Sequence, residues 1–126
     1  MSNKKLKPTD SEMEILQILW EHGPQNVRFI NNKLNEQREV GYTTTLKIMQ
    51  LMLEKGFLDR DSSSRTHIYK AKVNEQKIQG QLLKKFVDST FKGSAMKMVM
   101  SALGNHKPSA EELDEIKELI KKIEKK

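Results

Sequence analysis

The sequence predicts a mainly α fold carrying one β-hairpin, and three observations predict it. Apolar residues recur at helical spacing through the first 55 residues and again after residue 73. Between those stretches lie two short β-rich runs, "FLDRD" and "RTHIYKA", separated by the serines of positions 62–64. Capping signatures stand where the helical periods begin. Three helices followed by a two-stranded hairpin make a winged helix-turn-helix, and three further helices form a C-terminal region.

The elements follow in order. "TDSE" is a capping box, in which Thr9 accepts from the Glu12 amide and Glu12 reaches back. Met13, Leu16 and Trp20 then mark the buried face of the first helix, and "HGP" at 22–24 stops it. Asn26 can cap a second helix striped by Val27, Ile30 and Leu34, ending near Gln37. The third helix is expected from about Thr43 to Lys55, with one threonine of Thr43–Thr45 spent on its cap. Gly56 sits where a left-handed C-cap residue belongs. Arg60, His67 and Lys70 are expected on the hairpin strands, with Arg65 just past the turn.

Past Val73 the helical period returns. Asn74 can cap a helix that carries Ile78, Leu82 and Phe86 and is broken by Gly93. A short helix with Met96, Val99 and Leu103 comes next. "SAEE" at 109–112 is a second capping box, opening a last helix with Leu113, Ile116, Ile120 and Ile123 in an alternating four-three stripe. The chain is therefore divided into residues 1–73, a winged-helix domain with its own core, and residues 74–126, a helical dimerisation region. These last stripes lie on separate helices with too little mass to hide them alone, which favours burial against a second copy in a two-fold homodimer.

Composition narrows the classes. The chain has 126 residues, 36% hydrophobic and 32% charged, with a net charge of +6. From Val40 to Leu53 there is one lysine and no acid, and from Arg60 to Lys72 four cations stand against Asp61 alone. That distribution points to a polyanion partner. There are no cysteines, which excludes disulfides and thiolate metal sites. No stretch approaches the roughly 20 apolar residues of a membrane span, and no apolar run follows the lysines of "MSNKKLKP". The expected location is the cytoplasm. The three histidines lie in separate elements, with no HExxH and no phosphate-cradling glycines, so no enzyme, cofactor or metal site is expected.

A turn of 100° per residue sorts the third helix into two arcs. Tyr42, Leu46, Met49 and Leu53 cluster on one, flanked by Thr45, Ile48 and Met52, and read as core. Thr43, Thr44, Lys47, Gln50, Leu51 and Glu54 lie opposite. The polar arc suits a DNA major groove: threonine can bond a base edge or phosphate and pack its methyl on thymine, and lysine can reach guanine or a phosphate. An acid near the start of this arc would face the phosphates and be repelled, whereas Glu54 comes a full turn later, where the helix is expected to leave the groove. Tyr42, Thr43, Thr44 and Lys47 are the candidate contacts on the helix, and Arg65 at the wing tip can reach a phosphate or the minor groove. Thr45 points inward, and Leu51 has no assigned role.

"GYTTTLKIMQLMLEKGFLDRDSSSRTHIYKA", together with the opening "TDSEMEILQILWEHGP", resembles the penicillinase repressors and the related copper repressors. The shared pattern is a Tyr-Thr-Thr start, a leucine-spaced helix, a Lys-Gly end and an arginine and a tyrosine on the wing. The resemblance covers nearly the whole chain. It implies a dimeric repressor on an inverted-repeat DNA operator, with Thr43, Thr44 and Lys47 in the base-reading helix and Arg65 as the wing arginine. It also implies, for the β-lactam branch, relief through a membrane sensor protease that cuts an Asn–Phe bond in the dimerisation region. Here Ser101–Ala102 occupy that bond, Ser64 replaces the usual glycine before Arg65, and the copper branch's cysteine cluster is absent. The alternative is a winged-helix module that binds protein, against which the acid-free stretch from Val40 to Leu53 argues.

Overall fold

Local capping decides where the helices start. In the computed structural model, which describes residues 7–125, Thr9 Oγ1 accepts from the Glu12 N–H at 3.1 Å and Glu12 Oε1 accepts from the Thr9 N–H at 2.9 Å. This box opens α1 (Asp10–His22). Asn26 Oδ1 accepts from the Phe29 N–H at 2.8 Å and opens α2 (Val27–Leu34). The third helix, α3 (Tyr42–Lys55), starts one residue earlier than expected and is capped differently. Its N-cap is Gly41, with no side-chain hydrogen bond, so no threonine is spent on capping. The lysine-bearing start at residues 1–6, read above as lacking a leader's apolar run, lies outside the described residues.

Two further boundaries differ from the sequence reading. α2 ends at Leu34, because Asn35 folds back: its Nδ2 donates to Asn31 O and Val40 O, and its Oδ1 accepts from the Val40 N–H. A side chain that bonds nearby backbone competes with the helix and turns the chain. The hairpin consists of β1 (Leu58–Asp61) and β2 (Ile68–Ala71), antiparallel, with Leu58 opposite Ala71 and Asp61 opposite Ile68. His67 therefore lies in the wing loop, not on a strand.

α1, α2, α3 and the hairpin enclose one core. Ile15, Leu16, Ile30, Met49 and Met52 are fully buried, and Leu58 and Tyr69 join them from the hairpin. Gly56, at φ 87°, takes the left-handed conformation and turns α3 into β1, with the Phe57 N–H donating to Met52 O at 2.9 Å. The hairpin is tied to the α1–α2 turn by a reciprocal pair: Gln25 N–H to Tyr69 O at 2.9 Å and Tyr69 N–H to Gln25 O at 2.8 Å. Trp20 Nε1 donates to Val73 O at 3.1 Å, fixing the chain as it leaves the wing.

The buried arc of α3 is rotated from the one expected. Its centre is Thr45, Met49 and Met52, while Leu46 and Leu53 are half-buried and Tyr42 is exposed at the margin. The reason is polar. Asn31 is buried, and its Nδ2 donates to both Thr45 Oγ1 at 2.9 Å and Val40 O at 3.0 Å. A buried amide left without acceptors costs about 1–3 kcal/mol, so Thr45 must face inward to meet it.

The chain divides into two compact units, one through Leu82 and one from Leu83 on. The division falls inside α4 (Glu75–Thr90), which Asn74 caps through the Lys77 N–H at 2.9 Å. In the second unit α5 (Ala95–Asn105) starts at the Ser94 cap, and α6 (Ala110–Glu124) starts at the expected Ser109–Glu112 box. This unit leaves its apolar stripes bare: Phe86, Met96, Val99, Leu103, Leu113, Ile120 and Ile123 are exposed, and Ile116 is half-buried. In the first unit Leu82 is half-buried, whereas Ile78 is already buried within the chain and offers little surface to a partner.

Candidate nucleic-acid interface

The outward arc of α3 begins at its unprotected N-terminus. Gly41 supplies no side chain, and the backbone N–H groups of Tyr42, Thr43 and Thr44 donate to nothing among the described residues. A helix start with free N–H groups carries a partial positive charge and suits an anion. Thr43, Thr44 and Lys47 are all exposed on this arc, and Gln50 and Leu51 continue it. Thr45 is fully buried, which removes it from contact with any partner. Leu51, 42% exposed, remains without a structural role.

The wing loop is shaped by its own side chains. Asp61 Oδ1 accepts from the Ser63 N–H at 2.9 Å, and Ser64 Oγ donates to Thr66 O at 2.8 Å. The Ser63 N–H, and then its hydroxyl, hold the Asp61 carboxyl below its ordinary value. Arg65 is exposed just beyond this turn. It shares a cleft of about 420 Å³ with Tyr42, so two of the five candidate contacts are brought together there. Thr43, Thr44 and Lys47 point along the open face instead.

The sequence reading did not name Arg28, and it gave Asn26 only a capping role. Arg28, exposed at the start of α2, places its guanidinium 4.3 Å from the centroid of the Tyr42 ring. Asn26, beside it, also lines the cleft. The one local signal was that Arg28 follows an Asn cap, at a helix start where acids are usual. Its stacking on Tyr42, fourteen residues away, depends on how α2 and α3 pack.

The candidate cleavage bond, Ser101–Ala102, lies inside α5, and Asn105 Nδ2 donates to Ser101 O at 2.9 Å. Among the described residues no group of three His, Asp or Glu stands close enough to hold a metal, and no helix is long and apolar enough to cross a membrane.

A trihelical core with an antiparallel wing and an exposed third helix that carries no acid before Glu54 defines the winged-helix class of DNA-binding proteins. Within it, the chain belongs to the penicillinase repressor family, which it matches over residues 8–122. It is similar to the methicillin resistance regulatory protein MecI of Mammaliicoccus sciuri, 24% identical over 122 residues, spanning 97% of this chain and 99% of that protein. It is also similar to the penicillinase repressor of Staphylococcus aureus, 21% identical over 126 residues and the full length of both. Among solved structures it resembles the monomeric form of Bacillus licheniformis BlaI in complex with the blaP half-operator. The TM-score is 0.51 at 20% identity, covering 58% of this chain and 89% of that one. That last likeness establishes the fold.

Proposed function

We propose that this protein is a homodimeric transcriptional repressor that places α3 of each protomer in the major groove of one half of a palindromic DNA operator. The observation that carries the reading is the outward arc of α3: Thr43, Thr44 and Lys47 exposed, the first N–H groups free, and no acid from Val40 to Leu53. Family membership and the relatives' printed roles as regulatory protein and repressor support it. The winged-helix unit, residues 1–73, binds DNA, and residues 74–126 dimerise through the stripes left exposed in the second unit. Exposed stripes of this extent mark an interaction surface. The repressor acts in the cytoplasm and uses no cofactor. In the same reading, release follows a cut at Ser101–Ala102 by a membrane sensor protease, after local opening of α5.

Operator selection with the purified protein tests this reading. A palindromic site should emerge, and binding should weaken steeply with salt as counterions are released. Thr44→Ala should change base preference at one position by about 1–3 kcal/mol. Arg65→Ala should weaken all duplexes alike and lower the salt slope by about one. Equal affinity for selected and random duplexes at physiological salt would sink the proposal.

A further inference from the structure

Four cations of the first unit have a carboxylate partner. Lys55 meets Glu12 at 2.7 Å, Lys33 meets Glu36 at 3.5 Å, and Lys72 meets Asp59 at 4.0 Å. Arg38 Nη1 donates to Glu14 Oε2 at 2.9 Å, and its Nη2 lies 2.9 Å from Oε1. Arg28 is different. It is exposed, pairs with no acid among the described residues, and rests on the Tyr42 ring. Arg65 and His67 line the same cleft, and no carboxylate does. Another cleft of this unit, between α1 and α2, carries Glu14, Glu21 and Glu36 together with Lys33. The cleft beside Arg28 is the one of the two whose charged lining is wholly cationic.

Stacking uses the face of a guanidinium and leaves its N–H edge free. A guanidinium held 4.3 Å over a ring has lost part of its freedom before a partner arrives, so less is lost when it binds. Its edge matches two oxygens of a phosphate. We propose that Arg28, positioned by Tyr42, binds a backbone phosphate of the operator in the cleft between α2, the start of α3 and the wing loop. This contact sets the depth and register of α3 without reading a base. The inference rests on the DNA-binding reading and adds a residue to it.

The test is fluorescence anisotropy with the full chain on the selected operator and on a random duplex, across about 50–200 mM salt. Arg28→Ala should weaken both duplexes about tenfold and reduce the log–log salt slope by about one. Arg28→Lys should restore the slope, because the charge returns, but only part of the affinity, because the two-pronged guanidinium does not. Tyr42→Ala should weaken binding, and adding Arg28→Ala to it should cost less than Arg28→Ala costs alone. A structural role without phosphate contact would leave the slope unmoved. Arg28→Ala with wild-type slope and affinity overturns this inference while leaving the DNA-binding reading intact. So does a loss confined to one sequence, which would mark Arg28 as a base reader. A wild-type protein that binds no duplex overturns both.

Discussion

α1 and α6 begin the same way. Thr9 and Glu12 close a capping box with bonds of 2.9 and 3.1 Å, and Ser109 and Glu112 close one with the same two distances. Beyond the box they diverge. Glu12 is 3% exposed, and its second oxygen takes the Lys55 ammonium from the end of α3 at 2.7 Å. Glu112 is exposed, and its one ion-pair partner among the described residues is His106 at 3.9 Å. One box ties a helix start into a closed core, and the other starts a helix whose apolar stripe is still open. Identical local grammar thus serves a finished unit in one place and an unfinished one in the other.

The largest effect should come from spoiling the unfinished surface. Ile120 is half-exposed on the α6 stripe. In the dimer reading, Ile120→Asp buries an unpaired carboxylate in each half of the interface, at about 3–5 kcal/mol per buried charge. Dimer dissociation should rise at least ~100-fold, measured by sedimentation. Trp20, the chain's single tryptophan, sits in the first unit and should report an unchanged environment. A variant that remains dimeric would remove the α6 stripe from the interface.

Next in size is the closed box. Glu12→Ala removes a cap and leaves Lys55 without its carboxylate, so the first unit should lose about 2–4 kcal/mol in denaturant unfolding followed at Trp20. The matching change, Glu112→Ala, should leave that transition where it was. Equal shifts from the two would mean that burial of Glu12 adds nothing to the box.

Thr45→Val should cost about 1–3 kcal/mol, because the buried Asn31 amide loses the Thr45 hydroxyl as acceptor. The variant keeps shape and volume, so unfolding isolates the polar effect. It should also weaken operator binding without altering base preference, since Thr45 anchors α3 but is fully buried. A change in preferred sequence would contradict that placement.

Thr45 also shows what could be read in advance. Its inward orientation follows from position on a helical wheel, and both capping boxes follow from residues three apart. Signals of that range survive in sequence because their partners are local. Asn31 did not show itself, because Val40 and Thr45, its acceptors, lie nine and fourteen residues away across a turn. Arg28 was missed for the same reason, and Trp20 finds Val73 fifty-three residues on. The assignment of His67 to a strand failed because β-propensity does not say where a ladder stops. At the interface, Thr43, Thr44 and Lys47 were legible as the free arc of α3. The cleft that joins Tyr42 to Arg28 and Arg65 was not, since it exists only once α2, α3 and the wing have packed.

The smallest effect belongs to pH at the open box. The Ser109 N–H, followed by the weaker pull of His106 and the Ser109 hydroxyl, holds the Glu112 carboxyl below its ordinary 4.5. A carboxyl with a depressed folded value contributes its support fully above 4.5, and that support is lost as pH falls through the lower folded value. The first turn of α6 should therefore fray in acid below 4.5, while neutral and alkaline solution leave it unchanged. Amide exchange at Glu111 and Glu112, compared between wild type and Glu112→Gln, measures this. Glutamine keeps an acceptor for the Ser109 N–H but does not titrate, so the variant's exchange should lack the extra acid-linked rise. Indistinguishable profiles would mean that the charge on Glu112 contributes nothing beyond the hydrogen bond, and that an exposed box works by geometry alone.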